Sequence, residues 1–170
     1  MYTHFKKAVA RISLKRIIEV CIVGYFSFWL GSQYNLLFLS TYAETGGLWA
    51  AISGLFIIHE LKSDIIGTGS RRLLGTVIGA AVGASVFSFL DSSLLTMTLA
   101  LAITIIICQL LNLPNIIKIA CITVAVMLFV QEIHNVNPWM NAFLRASETL
   151  IGGAIAVLIA YLMRHEPDER

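Results

Sequence analysis

Arg145 and Glu148 lie three residues apart at the start of an apolar run, and this spacing puts both side chains on one face of a helix. A carboxylate within or near a membrane is costly and is therefore a candidate for function. Glu148 could carry a proton, and Arg145 could attract an anionic substrate. The two residues could equally form a local ion pair, with Glu148 favoured by the helix dipole. The sequence leaves both interpretations open.

Further charged side chains lie near the ends of apolar runs. His59 and Glu60 end one run, and Glu132 ends another. Histidine titrates near neutral pH, so proton coupling by these three residues is one interpretation and interfacial capping is the other. Arg72 precedes an apolar run much as Arg145 does, which makes it a second candidate for anion binding.

The sequence contains no motif for catalysis. No His, Cys and carboxylate spacing suggests a metal site, no Ser/His/Asp set is visible, and no glycine-rich phosphate loop follows a strand. The three cysteines lie in apolar runs, which is typical of buried thiols: Cys21, Cys108 and Cys121. We therefore predict no catalytic residue, metal or cofactor, and an intramembrane enzyme is the least favoured class.

The composition indicates a membrane protein. Of 170 residues, 58% are apolar and 13% are charged, and the mean hydropathy is +0.82. Soluble domains are about half apolar and a quarter charged. A small soluble domain leaves much of its surface in water and could not hide this much apolar area. The net charge of +2 is too balanced for a nucleic-acid-binding protein.

A membrane-spanning helix needs about 20 mostly apolar residues. The sequence predicts an all-α integral membrane protein with six such helices, over about 17–36, 42–60, 72–90, 94–113, 116–132 and 146–163. Turns are predicted at 91–93, 112–115 and 135–138, where Asp, Asn, Ser and Pro cluster. The membrane domain then covers 17–163, between a basic arm at 1–16 and a short polar tail at 164–170.

Six spans place eleven of the 12 Lys and Arg residues on one side of the membrane, and only Arg145 on the other. Basic residues in short loops favour the cytoplasmic side. We therefore expect both termini in the cytoplasm.

Two segments of the chain repeat one motif. Residues 72–83 and 145–156 both fit R-x-x-x-T-x-I-G-x-A-[VI]-[GA]. The sequence thus predicts two three-helix repeats, about 17–90 and 94–163. Because three is odd, the second repeat is inverted, which is the architecture of many transporters. Chance similarity between glycine-rich helices is the alternative.

The inverted repeat predicts where the charged residues lie. Glu60 and Arg72 should lie at the cytoplasmic face, and Glu132 and Arg145 at the outer face. The motif also carries small residues on one helix face, which allow a second helix to approach closely or could line a pore: Gly75, Gly79, Gly83 and Gly152.

These motifs resemble the membrane domain of the fusaric acid resistance and aromatic acid exporter family over about residues 15–163. The residues that carry the resemblance are W-A-A-I-S-G from Trp49, His59-Glu60, R-R-L-L-G-T-x-x-G-x-x-x-G from Arg71 and R-x-x-E-T-L-I-G from Arg145. The resemblance implies a six-helix unit of the bacterial inner membrane that exports aromatic carboxylates or related organic anions. Larger members carry a cytoplasmic domain or two such units, so a homodimer could supply what this chain lacks.

The sequence hypothesis is therefore an exporter of small organic anions. Arg72, Arg145 and Glu148 are the predicted substrate-binding residues, and His59, Glu60 and Glu132 are the predicted proton-coupling residues. Two alternatives stay open: a non-transporting subunit that assembles with another membrane protein, and a passive anion channel.

Overall fold

The structure is a computed structural model of the chain, and it describes residues 13–38, 43–60, 63–91, 93–134 and 137–163. The side chains of residues 131–134 are outside this description. The predicted basic arm up to residue 12, Lys62 and the tail after residue 163 likewise lie outside the described residues.

The described residues form six α-helices and one short 3-10 turn, with no strand among them, which confirms the all-α prediction. Two helices are long and apolar enough to cross a membrane, α3 and α6, while α2, α4 and the segment Pro114–Val130 are shorter apolar helices. The helices are α1 (Leu14–Leu36), α2 (Ala43–Ile58), α3 (Ile65–Phe89), α4 (Leu94–Leu110), α5 (Ile117–His134) and α6 (Pro138–Met163), with the 3-10 turn at Pro114–Ile116 before α5.

Local hydrogen bonds explain where several helices begin and end. Ser93 caps α4, since its Oγ accepts from the backbone N–H of Thr96 (3.1 Å). Asn137 precedes α6, and its Oδ1 accepts from the backbone N–H of Trp139 (2.9 Å). Asn112 ends the turn after α4 with a φ of 55°, a left-handed conformation that Asn tolerates well. The chain turns at 112–115 as predicted, whereas residue 92 of the turn predicted at 91–93 and residues 135 and 136 of the turn predicted at 135–138 lie outside the described residues.

Helices α3 and α6 begin earlier than the predicted spans. Helix α3 starts at Ile65 rather than near residue 72, and α6 starts at Pro138 rather than near residue 146. The prediction began each of these spans at or just after an arginine, but an arginine does not stop a helix. Arg72 and Arg145 therefore lie two turns inside their helices, deeper than the sequence suggested.

Helices α2, α3, α5 and α6 form the centre of the bundle. Helix α2 packs against α1 and α6, α5 packs against α3 and α4, and α3 crosses α6. The connections between successive helices are short, which favours antiparallel neighbours.

Two glycines let backbones come into direct contact. A Cβ on Gly152 would collide with the carbonyl oxygen of Ala50, and a Cβ on Gly79 would collide with that of Ala120. Small residues allow such approaches where lipid supplies no hydrophobic force between helices. These contacts fix α6 against α2 and α3 against α5.

The other two glycines of the predicted packing face have different neighbours. A Cβ on Gly75 would lie 2.8 Å from Cβ of Ile119. A Cβ on Gly83 would lie 3.3 Å from Sδ of Met127. Gly75 and Gly83 thus lie against α5 as Gly79 does, so the stripe is a packing face of α3.

The surface of the bundle differs from that of a soluble domain. Large apolar side chains are exposed on the outside of the bundle, among them Tyr25, Trp29, Phe89, Leu94, Leu110 and Leu158. Polar side chains are buried inside it, among them Glu19, Asn35, Ser53, Asn141 and Glu148. A continuous apolar exterior of this kind suits contact with lipid.

We predict that Gly152→Ala lowers the free energy of unfolding by about 1–3 kcal/mol, because the methyl group must displace the Ala50 backbone. Unfolding in mixed detergent, followed by circular dichroism, measures it. Gly24→Ala is the control, since its Cβ would lie 3.6 Å from the Leu55 side chain, an ordinary contact. Equal effects of the two substitutions would contradict the backbone contact.

Candidate functional site

A small cavity of about 30 Å³ lies between helices α2, α3, α5 and α6. A volume of this size has room for about one water molecule. Its polar lining consists of two arginines and four hydroxyl residues: Arg72, Arg145, Ser53, Thr76, Thr123 and Thr149. Its apolar lining consists of Trp49, Ile119, Ile122 and Val126.

The cavity lies at the crossing of α3 and α6, where two threonines meet. Thr149 Oγ1 donates to Thr76 Oγ1 at 3.4 Å, and Ser53 Oγ donates to Thr149 Oγ1 at 3.5 Å. Hydrogen bonds of this length are weak. The three hydroxyls can therefore exchange these bonds for bonds to a ligand at little cost.

Arg72 lies one helical turn before Thr76, and its guanidinium faces the cavity. The guanidinium carbon lies 4.7 Å from the centre of the Phe56 ring, a cation–π contact. No carboxylate of the described residues forms an ion pair with Arg72. Its Nε is buried and finds no hydrogen-bond partner in the described part of the chain. Arg72 thus gives the cavity a positive charge that no described carboxylate offsets.

Arg145 and Glu148 form an ion pair, which is one of the two interpretations that the sequence left open. Nη2 of Arg145 lies 2.8 Å from Oε1 of Glu148, and the side chains are 3% and 0% exposed. The guanidinium carbon also lies 5.7 Å from the centre of the Trp49 ring. Asn35 of α1 lies beside the carboxylate. Arg145 therefore contacts the buried carboxylate and lines the cavity at the same time.

The cavity has the chemistry of an anion site. With Glu148 ionised, its charge offsets that of Arg145 and leaves the charge of Arg72. Guanidinium groups bind planar carboxylates through paired N–H donors, and nearby hydroxyls add further donors. Among the described residues that line the cavity, no nucleophile stands beside a base.

The structure brings Arg72 and Arg145 together, whereas the sequence placed them at opposite membrane faces. The reason is that both helices begin earlier than predicted. Each arginine then lies four residues, about 6 Å, from the threonine at the helix crossing.

Two of the three predicted proton-coupling residues, His59 and Glu60, lie away from the cavity. His59 is exposed just after α2, with Nδ1 2.7 Å from the carbonyl oxygen of Leu55. Glu60 is half-buried next to it. Neither residue lines the cavity. Glu132 belongs to α5, but its side chain is outside the described residues.

Sequence reasoning did not predict Ser53, Thr123 or Trp49 as site residues. Single hydroxyls in apolar helices are common and carry no signal by themselves. The available signal was spacing: Thr76 follows Arg72 by four residues, as Thr149 follows Arg145. Residues four apart share a helix face, so the sequence puts the Arg and the Thr of each motif on the same face of its helix.

An all-helical bundle with an apolar exterior and a buried polar centre defines a membrane-embedded protein. The family described as fusaric acid resistance protein-like matches residues 22–159, and the chain belongs to this family. This confirms the resemblance seen in the sequence, and at a coarse level the family is one of membrane transport and resistance. No curated protein and no solved structure matches the chain.

We predict strong coupling between Arg145 and Glu148. Removing one partner of a buried ion pair costs about 3–5 kcal/mol, while removing both costs much less. Arg145→Gln and Glu148→Gln should each destabilise the protein more than the double variant does. Unfolding free energies of the four proteins in detergent measure the coupling.

The exposed pair of Arg71 and Asp64 is the control for that cycle. Nη2 of Arg71 lies 2.6 Å from Oδ2 of Asp64, and both side chains are well exposed. Its coupling should stay below about 1 kcal/mol. Equal coupling of the two pairs would show that burial adds nothing to the Arg145–Glu148 interaction.

Proposed function

We propose that the protein exports small organic anions, with aromatic carboxylates as the preferred class, across the bacterial inner membrane. Arg72 and Arg145 bind the carboxylate, and Glu148 sets the charge of the site. The observation that carries the proposal is the presence of two arginines from different helices in the lining of one cavity. Membership of a family of membrane transport and resistance proteins supports it.

The aromatic preference rests on the rings beside the two arginines. Trp49 lines the cavity, and its ring contacts the guanidinium of Arg145. The ring of Phe56 contacts the guanidinium of Arg72. An aromatic acid could place its carboxylate between the arginines and its ring against Trp49, since aromatic pairs add to apolar burial.

Transport requires the cavity to open. A volume of about 30 Å³ is far below that of a typical ligand pocket, about 300–1,000 Å³. The closed state is held by the α3–α6 crossing, where the hydroxyl contacts are long. Separation of α3 and α6 on either side of the Thr76–Thr149 contact would admit the anion from one face at a time.

An inverted repeat would give the two gates that alternating access needs. Equivalent motif positions make matching contacts, which supports this arrangement. Thr76 and Thr149 contact each other, and each motif glycine, Gly79 or Gly152, meets a carbonyl oxygen of a helix in the other half. Helix α2 packs on α6 as α5 packs on α3.

Six spans follow from the repeat, with both termini in the cytoplasm. Helix α2 has 16 residues and is about 24 Å long, shorter than the roughly 30 Å of hydrocarbon. A short helix is accommodated by local thinning of the bilayer and by flanking residues. Helices α2 and α5 can therefore span although they are shorter than α3 and α6.

We predict that Arg72→Gln abolishes transport while leaving the fold intact, because it removes the cavity charge that no described carboxylate offsets. Efflux of labelled benzoate from proteoliposomes, corrected for protein-free liposomes, measures it. Arg72→Lys should retain part of the flux, since it keeps the charge but loses the paired donors. Arg71→Gln is the matched control, because Arg71 is the adjacent residue and pairs with Asp64 on the surface.

Normal benzoate efflux in Arg72→Gln would remove the site assignment. An alternative outcome is that the purified protein conducts the anion down the gradient of the anion alone. Such a conductance would favour the passive channel. A stable complex with a second membrane protein, and no flux without it, would favour the partner subunit.

We predict that tags on the N and C termini are both protected from reagents added to intact spheroplasts, because an even number of spans puts both ends in the cytoplasm. A tag in the loop between α1 and α2 should be accessible instead. Termini on opposite sides would rule out the inverted repeat but would leave the cavity in place.

A further inference from the structure

We infer that a groove between α3 and α6 binds the apolar body of the transported anion on the cytoplasmic side of the cavity, with the carboxylate turned towards the cavity. The preferred substrates are then aromatic carboxylates that carry an alkyl extension. This inference rests on the proposed function, since it names the substrate class of the same site and adds a second binding surface to it.

The α3–α6 groove lies on the outside of the bundle and has a volume of about 410 Å³. Its lining comes from the first turns of α3 and the second half of α6, and includes Ile66, Gly69, Leu73, Gly153, Val157 and Leu158. No described residue of this lining is charged. The hydroxyl of Ser70, which also lines the groove, donates to the carbonyl oxygen of Ile66 at 2.9 Å and is paired within its own helix. The groove therefore suits a hydrocarbon group.

Thr149 joins the α3–α6 groove to the cavity, because it lines both. Thr149 is 6% exposed, and its hydroxyl makes the long contacts to Thr76 and Ser53 of the cavity. A ligand in the groove thus lies against the contact that must open to admit an anion to Arg72.

The two volumes suit two parts of one ligand. The cavity, at about 30 Å³, has room for a small polar group but not for a ring. The groove, at about 410 Å³, lies within the range of about 300–1,000 Å³ that is typical of ligand pockets. An aromatic acid therefore fits with its carboxylate towards the cavity and its ring and alkyl group in the groove, before the ring passes to Trp49.

The direction of the groove favours a free anion over a phospholipid. Thr149 lies near the middle of α6, and Leu158 lies near its C-terminal end. In the proposed six-span arrangement, the end of the groove at Thr149 lies towards the centre of the bilayer, and the other end lies towards the cytoplasmic surface. A phospholipid has its charged group at the surface and its acyl chains at the centre. An organic anion with its carboxylate at the cavity has the opposite orientation, which matches the groove.

Gly69 is the position at which the groove can be filled with least disturbance. A Cβ on Gly69 would lie 3.8 Å from Cδ1 of Ile57, which is an ordinary contact. A Cβ on Gly153 would lie 3.2 Å from the same atom, which is tighter. A leucine at Gly69 should therefore take up space in the groove and leave the packing of α2 against α6 as it is.

The chain contains a matched groove that lacks the link to the cavity. It lies between α3 and α4, has a volume of about 540 Å³ and is lined by Ala81, Phe89 and Leu99 among others. No described residue lines both this groove and the cavity. Ala81 is exposed, so Ala81→Leu fills the matched groove without approaching the cavity.

Photolabelling with para-benzoylbenzoate locates the bound apolar body, because this aromatic carboxylate reacts with nearby C–H bonds under ultraviolet light. The purified protein in proteoliposomes is labelled, digested and mapped by mass spectrometry. We expect label on the α3 and α6 residues of the groove, and an excess of para-butylbenzoate should displace it. Gly69→Leu should lower this label about tenfold, since an added side chain crowds the packed space, and Ala81→Leu should leave it unchanged.

Efflux of labelled benzoate from proteoliposomes gives a second measurement. Compared with unlabelled benzoate, para-butylbenzoate should inhibit efflux at a lower concentration, by more than the ratio of their partition into protein-free liposomes. Gly69→Leu should reduce this preference about tenfold, and Ala81→Leu should retain it. Ser70→Leu fills the groove from its exposed side, so it should act as Gly69→Leu does and guards against a folding defect of that variant.

The outcomes separate the two proposals. Equal label on the groove between α3 and α4, or label and preference that persist in both Gly69→Leu and Ser70→Leu, overturns the groove site but leaves the anion transporter intact. A groove that reacts with a photoreactive phospholipid and not with para-benzoylbenzoate is a lipid site, and a groove that crosslinks to a second copy of the chain is a dimer interface. Either result overturns the inference as well. Absence of benzoate efflux, with the groove labelled as expected, overturns the proposed transport function instead.

Discussion

The bundle depends on the direct contact of helix backbones at glycines, above all at Gly79 and Gly152. In lipid, apolar side chains gain nothing by leaving one apolar surface for another, so helices associate through close packing and polar contacts. Gly152 lies against the Ala50 carbonyl, and Gly79 lies against the Ala120 carbonyl. Because both contacts are to rigid backbone, they fix how far each long helix can slide along its neighbour. The level at which α3 and α6 cross is set by these contacts.

The position at which α3 and α6 cross determines which side chains line the cavity. Thr76 and Thr149 meet at the crossing, and an arginine lies one turn before each of them. Arg72 of α3 and Arg145 of α6 therefore line one cavity. A shift of one helical turn would bury Arg72 or Arg145 among apolar side chains, which an interior without water does not tolerate.

The sequence predicted what depends on local pattern and missed what depends on packing between distant segments. The all-α class, the turn at residues 112–115 and the shared helix face of Arg145 and Glu148 follow from hydropathy, turn residues and i,i+3 spacing. The predicted starts of α3 and α6 were wrong, because each span was limited by an arginine. A cavity that accommodates a buried arginine is formed by several helices, so the sequence of one helix does not predict it. Ser53 was missed for the same reason, since its role appears only where α2 meets α6.

The two repeated motifs differ at the position that matters most for an anion. Three residues after Arg72 stands Gly75, whereas three residues after Arg145 stands Glu148. A carboxylate at both positions would neutralise the cavity and remove its attraction for anions. A carboxylate at neither would remove the Glu148 charge from beside Arg145, and a site that binds an anion too tightly cannot release it. The single Glu148 gives a site of intermediate charge, and it does so at the one arginine that also contacts the ring of Trp49. The two motifs thus differ at the residue that forms the buried ion pair with Arg145, while the matched glycines Gly79 and Gly152 supply the helix packing in both.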